Sequence, residues 1–154
     1  MKTARKKQGL SASLEDYLEA ILNVADNSGI AYSKDIAVSL NVAKPSVTGA
    51  LKLLAKKGLV NYRPYGCVTL TQSGLAKAAT VAKKHDTIKS FLTDILGIDS
   101  PAAQKAACKA EHLLTSQIVS RMGDFTNFTK KQARQGENLM DVLERFSKGK
   151  GARR

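Results

Sequence analysis

Between Pro45 and Leu70 the hydrophobic period changes once, and that change limits the chain to few folds. In PSVTGALKLLAKK the residues Val47, Ala50, Leu51 and Leu54 recur at the spacing of one helical face. After Gly58, LVNYRPYGCVTL alternates with the two-residue period of a strand, interrupted by Arg63-Pro64-Tyr65-Gly66, which puts Pro and Gly where a type I turn favours them. Pro45 at the first helical position costs nothing, because that N–H has no intrahelical partner. The segment therefore predicts a helix followed by a two-stranded hairpin. Upstream, LEDYLEAILNVA aligns Leu14, Tyr17, Leu18, Ile21, Leu22 and Ala25 on one face, with Ser13 as N-cap and Asn27-Ser28-Gly29 as the break. Ser33 caps a short second helix, KDIAVSL, with Ile36, Ala37 and Leu40 inward. Helix, turn, helix, hairpin is a winged helix-turn-helix in outline.

After the hairpin, Thr71 caps a fourth helix that reaches about Leu96 and ends at Gly97. Ser100-Pro101 opens a fifth helix expected to run through Met122, apolar on two sides: Ala103, Ala107, Ala110 and Leu114 on one, Ile118, Val119 and Met122 on the other. Such a helix belongs between neighbours, including a second subunit. From Gly123 the pattern predicts one or two shorter helices around Phe125, Phe128, Leu139, Val142, Leu143 and Phe146, then a basic tail. The expected fold class is mainly α, with a winged helix-turn-helix DNA-binding domain over residues 1–72 and a helical dimerisation domain over 73–154. No apolar stretch follows the basic N-terminus and nowhere do about 18 apolar residues run together, so no membrane partner is expected and the expected location is cytoplasmic. Cys67 and Cys108 lack CxxC spacing and are expected to be reduced there.

The formal net charge of +12 is unevenly spread. Residues 34–89 hold ten Lys/Arg against only Asp35 and Asp86, whereas residues 11–33 hold four acids and no Lys or Arg. A positive block of this kind suits phosphate neutralisation. On the helix from Pro45 the core stripe leaves Lys44, Pro45, Thr48, Gly49, Lys52 and Lys56 outside, with Ser46 beside them in the first turn. Small groups near the helix start and lysines further along fit a helix lying in a major groove and gripping its phosphates. Arg63 and Tyr65 at the hairpin tip are placed for backbone or minor-groove contact. The plainer reading of the same residues is a winged domain for protein contacts with a solvated lysine face. Agreement between motif, charge block and exposed small residues favours double-stranded DNA.

A second feature is CKAEHLL, residues 108–114. Cys108, Glu111 and His112 fall at i, i+3 and i+4, which on a continuous helix gives thiol, carboxylate and imidazole one face. Each residue alone reads as packing: a small buried thiol, an acid paired with lysine, a satisfied histidine. A Cys–His nucleophile is the enzymatic reading, but a dyad within a helix offers no oxyanion donors, so no catalysis and no small organic substrate are expected. The third reading is half of a metal site. Further ligand types are His85, the only other histidine, and Asp16 and Glu19, a helical turn apart on the first helix. Their plain reading is a solvated face, with Asp16 completing a capping box with Ser13. The set Asp16, Glu19, His85, Cys108, Glu111 and His112 is too rich in oxygen and imidazole for a structural zinc cage and suits Mn²⁺ or Fe²⁺.

At this point the chain resembles the diphtheria toxin repressor family of metal-dependent regulators, which includes the manganese transport regulator and iron-dependent repressors. The resemblance runs from residue 13 to about 123, through SLEDYLEAI, AKPSVTGALKLLAKKGLV, LTQSG, KKHDTIKSFLTDILG and CKAEHLL, in order and at the family's separations. It implies a winged helix domain and a helical dimerisation domain with metal bound where they meet, in a short form without an SH3-like third domain. Onto the family's primary site it maps Asp16, Cys108, Glu111 and His112, and onto the second position of the binuclear manganese type Glu19 and His85, with Glu111 bridging. The iron branch usually has Met where Asp16 stands, with an acid near Lys89 and a histidine near Gln104. The manganese branch usually has Glu where Cys108 stands, and a longer side chain often occupies the position of Gly49. The expectation is a homodimeric repressor of metal homeostasis genes that binds operator DNA when loaded with Mn²⁺, with Fe²⁺ as the other candidate. The alternative is a winged helix regulator controlled by a non-metal ligand or a partner protein.

Overall fold

The computed structural model describes residues 10–63, 67–133 and Asp141. Its elements are α1 (Ala12–Val24), β1 (Ile30–Tyr32), α2 (Ser33–Leu40), α3 (Lys44–Lys56), β2 (Val60–Tyr62), β3 (Cys67–Leu70), α4 (Gln72–Asp94), α5 (Ser100–Ala110) and α6 (Ser116–Ala133). The chain forms two compact units, Met1–Ala82 and Lys83–Arg154, with the division falling inside α4. The architecture is mainly helical with one small sheet, as expected for a winged helix-turn-helix followed by helices. Among the described residues no helix is long and apolar enough to cross a membrane.

The first unit is built on α1, α2 and α3, whose inward stripes meet in one core. Leu18, Ile21, Ile36, Val47, Leu51, Leu54 and Val68 are all fully buried there. Burying each aliphatic side chain stabilises by about 1.5 to 3 kcal/mol. The N-cap of α1 is Ser11 rather than Ser13: Ser11 holds the extended backbone a cap requires and its side chain accepts from the Leu14 N–H. Starting there adds helix and lets Leu10, the residue before the cap, pack on the core. Ser33 is the first residue of α2, not its cap, because Ile30–Tyr32 is a strand that runs straight into the helix. That strand was not expected. Its three residues are too few for alternation to show, and its partner lies far along the chain: Ile30 faces Thr69, Ala31 faces Val68 and Tyr32 faces Cys67. The hairpin pairs Val60 with Leu70, Asn61 with Thr69 and Tyr62 with Val68, so β3 is the middle strand of the order β1-β3-β2.

Two turns shape the helices around this core. Asn41 ends α2 in the left-handed region at φ 52°, a conformation Asn tolerates better than most residues. Gly58, at φ +70°, ends α3 and starts the hairpin. Thr71 then fastens hairpin to helix: its hydroxyl donates to the Gly58 carbonyl at 2.8 Å and accepts from the Gly74 N–H at 3.0 Å. A Cβ at Gly74 would overlap the Leu59 carbonyl oxygen and lie 2.8 Å from its carbon, so the start of α4 seats on Leu59 only because position 74 has no side chain.

In the second unit Ile88, Ala107 and Val119 form a small core, with Leu92, Ala110, Leu114 and Met122 around it. The single helix expected from Ser100 to Met122 is two helices. Asp99 caps α5 by accepting from the Ala102 N–H at 3.0 Å, and α5 ends at Ala110. Thr115 then starts α6, its carbonyl accepting from the Val119 N–H at 3.1 Å and its hydroxyl from Ile118 at 3.4 Å. Gly123 does not end a helix but lies inside α6, where an added Cβ would come 3.2 Å from the Thr87 methyl, so α4 and α6 approach closely at that point. Further along the same pair, Lys130 lies 2.6 Å from Asp94, which also accepts from Ser90 at 2.6 Å. The Lys130 and Ser90 hydrogen bonds first, then one from Thr93 and the Lys130 charge, outweigh partial burial and lower the Asp94 pKa to about 2. Leu139, Val142, Leu143 and Phe146, and Tyr65 of the hairpin tip, lie outside the described residues.

Candidate metal centre and nucleic-acid interface

The outer face of α3 follows from its inner one. With Val47, Ala50, Leu51 and Leu54 buried, Lys44, Pro45, Ser46, Gly49, Lys52 and Lys56 are exposed and Thr48 is half-buried. The Thr48 hydroxyl donates back to the Lys44 carbonyl at 3.2 Å, so its polar atom is engaged within the helix. Arg63, also exposed, follows directly on β2. The surface is a small-featured helix start continued by lysines, with no acid on α3.

The candidate metal ligands are supplied by both units. In the first, Asp16 and Glu19 sit a turn apart on α1, each half-buried, beside the buried stripe of Leu14, Tyr17, Leu18 and Ile21. In the second, the structure brings three of the four candidates into direct contact. Glu111 is 1% exposed and His85, from α4, is 6% exposed. Nδ1 of His85 lies 2.7 Å from Oε2 of Glu111, and Nε2 of His112 lies 3.4 Å from Oε1 of the same carboxylate. Each oxygen of a buried carboxylate thus meets a different imidazole. The sulfur of Cys108, an exposed residue of α5, lies within 4.8 Å of a Glu111 oxygen.

Local backbone explains how the residues of CKAEHLL stay near one another despite the break in the helix. Glu111 keeps helical dihedrals (φ −59°, ψ −30°) and donates its N–H to Ala107 at 3.0 Å, so the one-turn relation between Cys108 and Glu111 survives. His112 lies in the turn beyond, which Leu113 and Leu114 close by donating to the Ala110 carbonyl at 3.0 and 2.9 Å. The expectation of one continuous helical face is therefore correct for the first two residues only. Lys84 was not singled out by sequence. Its ammonium donates to the Leu114 carbonyl at 3.4 Å and so ties this turn to α4 beside His85; adjacency to a histidine was the only sequence signal available.

Chemistry tests whether these residues fit a cation. A carboxylate withdrawn from water costs several kcal/mol unless positive charge or donors surround it. If His85 carries its proton on Nδ1, it donates to Glu111 and leaves Nε2, buried and without a hydrogen-bond partner among the described residues, as a bare acceptor. If a cation lies against both Nδ1 and the carboxylate, both become ligands and the proton moves to Nε2. Oxygen and imidazole donors, with one thiol near, fit a divalent ion of intermediate hardness.

Comparison with known proteins gives a consistent picture. Residues 9–68 match the model of the iron dependent repressor N-terminal DNA binding domain, and residues 71–139 match that of the iron dependent repressor metal binding and dimerisation domain. An uncharacterized HTH-type transcriptional regulator of Methanocaldococcus jannaschii is 41% identical over 117 residues, covering 75% of this chain and 94% of the relative. The HTH-type transcriptional regulator MntR of Geobacillus kaustophilus is 29% identical over 137 residues, covering 89% of this chain and 96% of the relative. Among solved structures, a manganese-dependent transcriptional repressor in complex with manganese superposes with a TM-score of 0.68 at 26% identity, and IdeR of T. acidophilum with 0.65 at 27%. The chain spans about half the length of those two solved chains, 53% and 56%, and 75% and 82% of its own length is covered.

Proposed function

Because this chain belongs to the iron-dependent repressor family of metal-dependent transcriptional regulators, we propose that it represses metal homeostasis genes by binding operator DNA as a metal-loaded homodimer in the cytoplasm. In this reading residues 1–72 bind DNA through Lys44, Pro45, Ser46, Thr48, Gly49, Lys52, Lys56, Arg63 and Tyr65. Residues 73–154 supply four of the six proposed metal ligands and dimerise. The observation that carries it is the Glu111 carboxylate, 1% exposed and met by imidazoles at 2.7 and 3.4 Å inside the segment that matches a metal-binding domain.

Asp16, Glu19, His85, Cys108, Glu111 and His112 are the proposed ligands, and the cation is Mn²⁺, with Fe²⁺ as the alternative. The preference rests on a donor set that is mostly carboxylate and imidazole. When bound, the cation supplies the positive charge that lets several carboxylates share one site. Asp16 and Glu19 come from the unit that carries α3, and the other four come from the unit that dimerises. Ligation therefore couples DNA affinity to metal affinity, and each must change the other by the same factor. Cys108 and His112 act as ligands, not as nucleophile and base. Exposed Ile118 and Phe125 on α6 line a shallow groove with Phe91 and Met122, and with Phe128, also exposed on α6, they support a second copy seated on the second unit. In the dimer two α3 helices enter successive major grooves, about 34 to 36 Å apart.

Titrating the apo protein with Mn²⁺, Fe²⁺ and Zn²⁺ while following DNA binding tests the reading. His112→Ala is expected to abolish metal-activated binding and leave a folded dimer; unchanged operator affinity in that variant refutes the ligand assignment. DNA binding indifferent to all three ions would point instead to a non-metal effector.

A further inference from the structure

The outer face of α3 carries, near its centre, a residue the fold does not require. Among the described glycines, Gly29, Gly58 and Gly97 have positive φ, and Gly74 and Gly123 lie where a Cβ would press on a neighbour. Gly49 has neither reason. Its φ is not positive, an added Cβ would meet nothing within 4 Å, and it is exposed in the interior of a 13-residue helix. Glycine is, after proline, the poorest residue for such a place.

Position supplies the missing reason. Pro45, Gly49, Lys52 and Lys56 recur at helical spacing along one exposed stripe, so Gly49 lies between the small helix start and the lysines. Neighbouring Thr48 turns its hydroxyl back to Lys44. If Lys52 and Lys56 extend from this stripe to phosphates on the groove walls, its short-side-chain part around Gly49 faces the groove floor. A residue without a Cβ is used where a backbone must come close to a ligand.

We propose that Gly49 is a specificity-determining residue: it is the point of closest approach between α3 and the base pairs, and its missing side chain sets how deeply the helix seats. The inference rests on the reading of α3 as a major-groove helix. Selectivity here comes from absence. A side chain at position 49 lifts the helix and lengthens its base contacts together, while lysine–phosphate contacts, made by long flexible chains, adjust.

The test uses the full chain loaded with Mn²⁺. Wild-type protein selects a preferred duplex from a pool with a randomised core, and wild type and Gly49→Ala are then compared on that duplex and on the unselected pool. Gly49→Ala is expected to raise the melting temperature by about 2 to 4 °C. Its affinity for the selected duplex is expected to fall about tenfold or more, while affinity for the pool and its salt dependence stay as in wild type. Equal or tighter binding of the selected duplex by Gly49→Ala overturns the inference, as does equal weakening on both DNAs. A lowered melting temperature overturns it too, since glycine would then serve the fold. Failure of the wild type to enrich any sequence is a different result: it removes the major-groove reading itself, and this inference with it.

Discussion

Replacing Gly74 by alanine adds one methyl group at the start of α4, and the structure fixes where that methyl must go. It falls on the Leu59 carbonyl oxygen and 2.8 Å from the carbonyl carbon, both backbone atoms that no rotamer change can move. The helix start must therefore shift away from the strand. Two hydrogen bonds resist: Gly74 N–H to the Thr71 hydroxyl and Thr71 N–H to the Leu59 carbonyl, both 3.0 Å. Overpacking of this kind costs about 1 to 3 kcal/mol, and each lost hydrogen bond about 0.5 to 1.5 kcal/mol. Alanine's better helix propensity returns about 1 kcal/mol. With both hydrogen bonds lost the net expectation is a loss of about 1 to 5 kcal/mol, read in urea unfolding of the apo protein as a lower midpoint with an unchanged slope. Gly49→Ala, the same chemical change on another helix, is expected to stabilise by about 1 kcal/mol. A Gly74→Ala variant within about 0.5 kcal/mol of wild type would show that α4 is not seated on Leu59, and the contrast between the two glycines would fail with it.

Other perturbations have defined outcomes. Leu51→Ala empties a fully buried position and is expected to cost about 2 to 5 kcal/mol in the same unfolding assay. Alanine at both Lys52 and Lys56 should weaken binding to all duplexes and lower the slope of log affinity against log salt by about two, measured by anisotropy across a salt series. Lys84→Met releases the turn that carries Glu111 and His112, and calorimetry should show weaker Mn²⁺ binding that Lys84→Arg restores. The Asp94 pKa, lowered to about 2 from an ordinary 3.8, gives a stabilisation present above pH 3.8 and lost as pH falls towards 2. Lys130→Ala should move that pKa back up and flatten this part of the acid unfolding profile; the Asp94 carboxylate is partly exposed, so the effect is modest.

The elements legible in the sequence are those whose signal is local. The stripes of α1 and α3, the Gly58 stop, the two hairpin strands and the Thr71 cap each depend on residues within a few positions of one another. Where two local signals compete, sequence does not choose: Ser11 and Ser13 both suit the cap of α1, and only packing of Leu10 favours the earlier one. β1 was invisible because its three residues gain their meaning from β3, far away in sequence. The break after Ala110 has no Gly or Pro to announce it; a threonine cap starting α6 makes the interruption, and the apolar spacing continues through it. At the candidate site the relation of Cys108 to Glu111 is a matter of helical spacing and could be read directly. The approach of His85 to Glu111 joins separate elements, so sequence could nominate the histidine by donor type but not place it.

The middle position of β3 bears on how such a regulator diversifies. Ser33 to Leu59 contains α2 and α3 and is bounded by two strands, β1 and β2, both zipped to the same third strand. In the proposed reading the helix that meets DNA is thus part of a cassette clipped into a frame at both ends. Outward positions of the cassette are free to change without disturbing the backbone pairing that holds it, so new DNA preferences can be acquired by exchanging a short contiguous stretch.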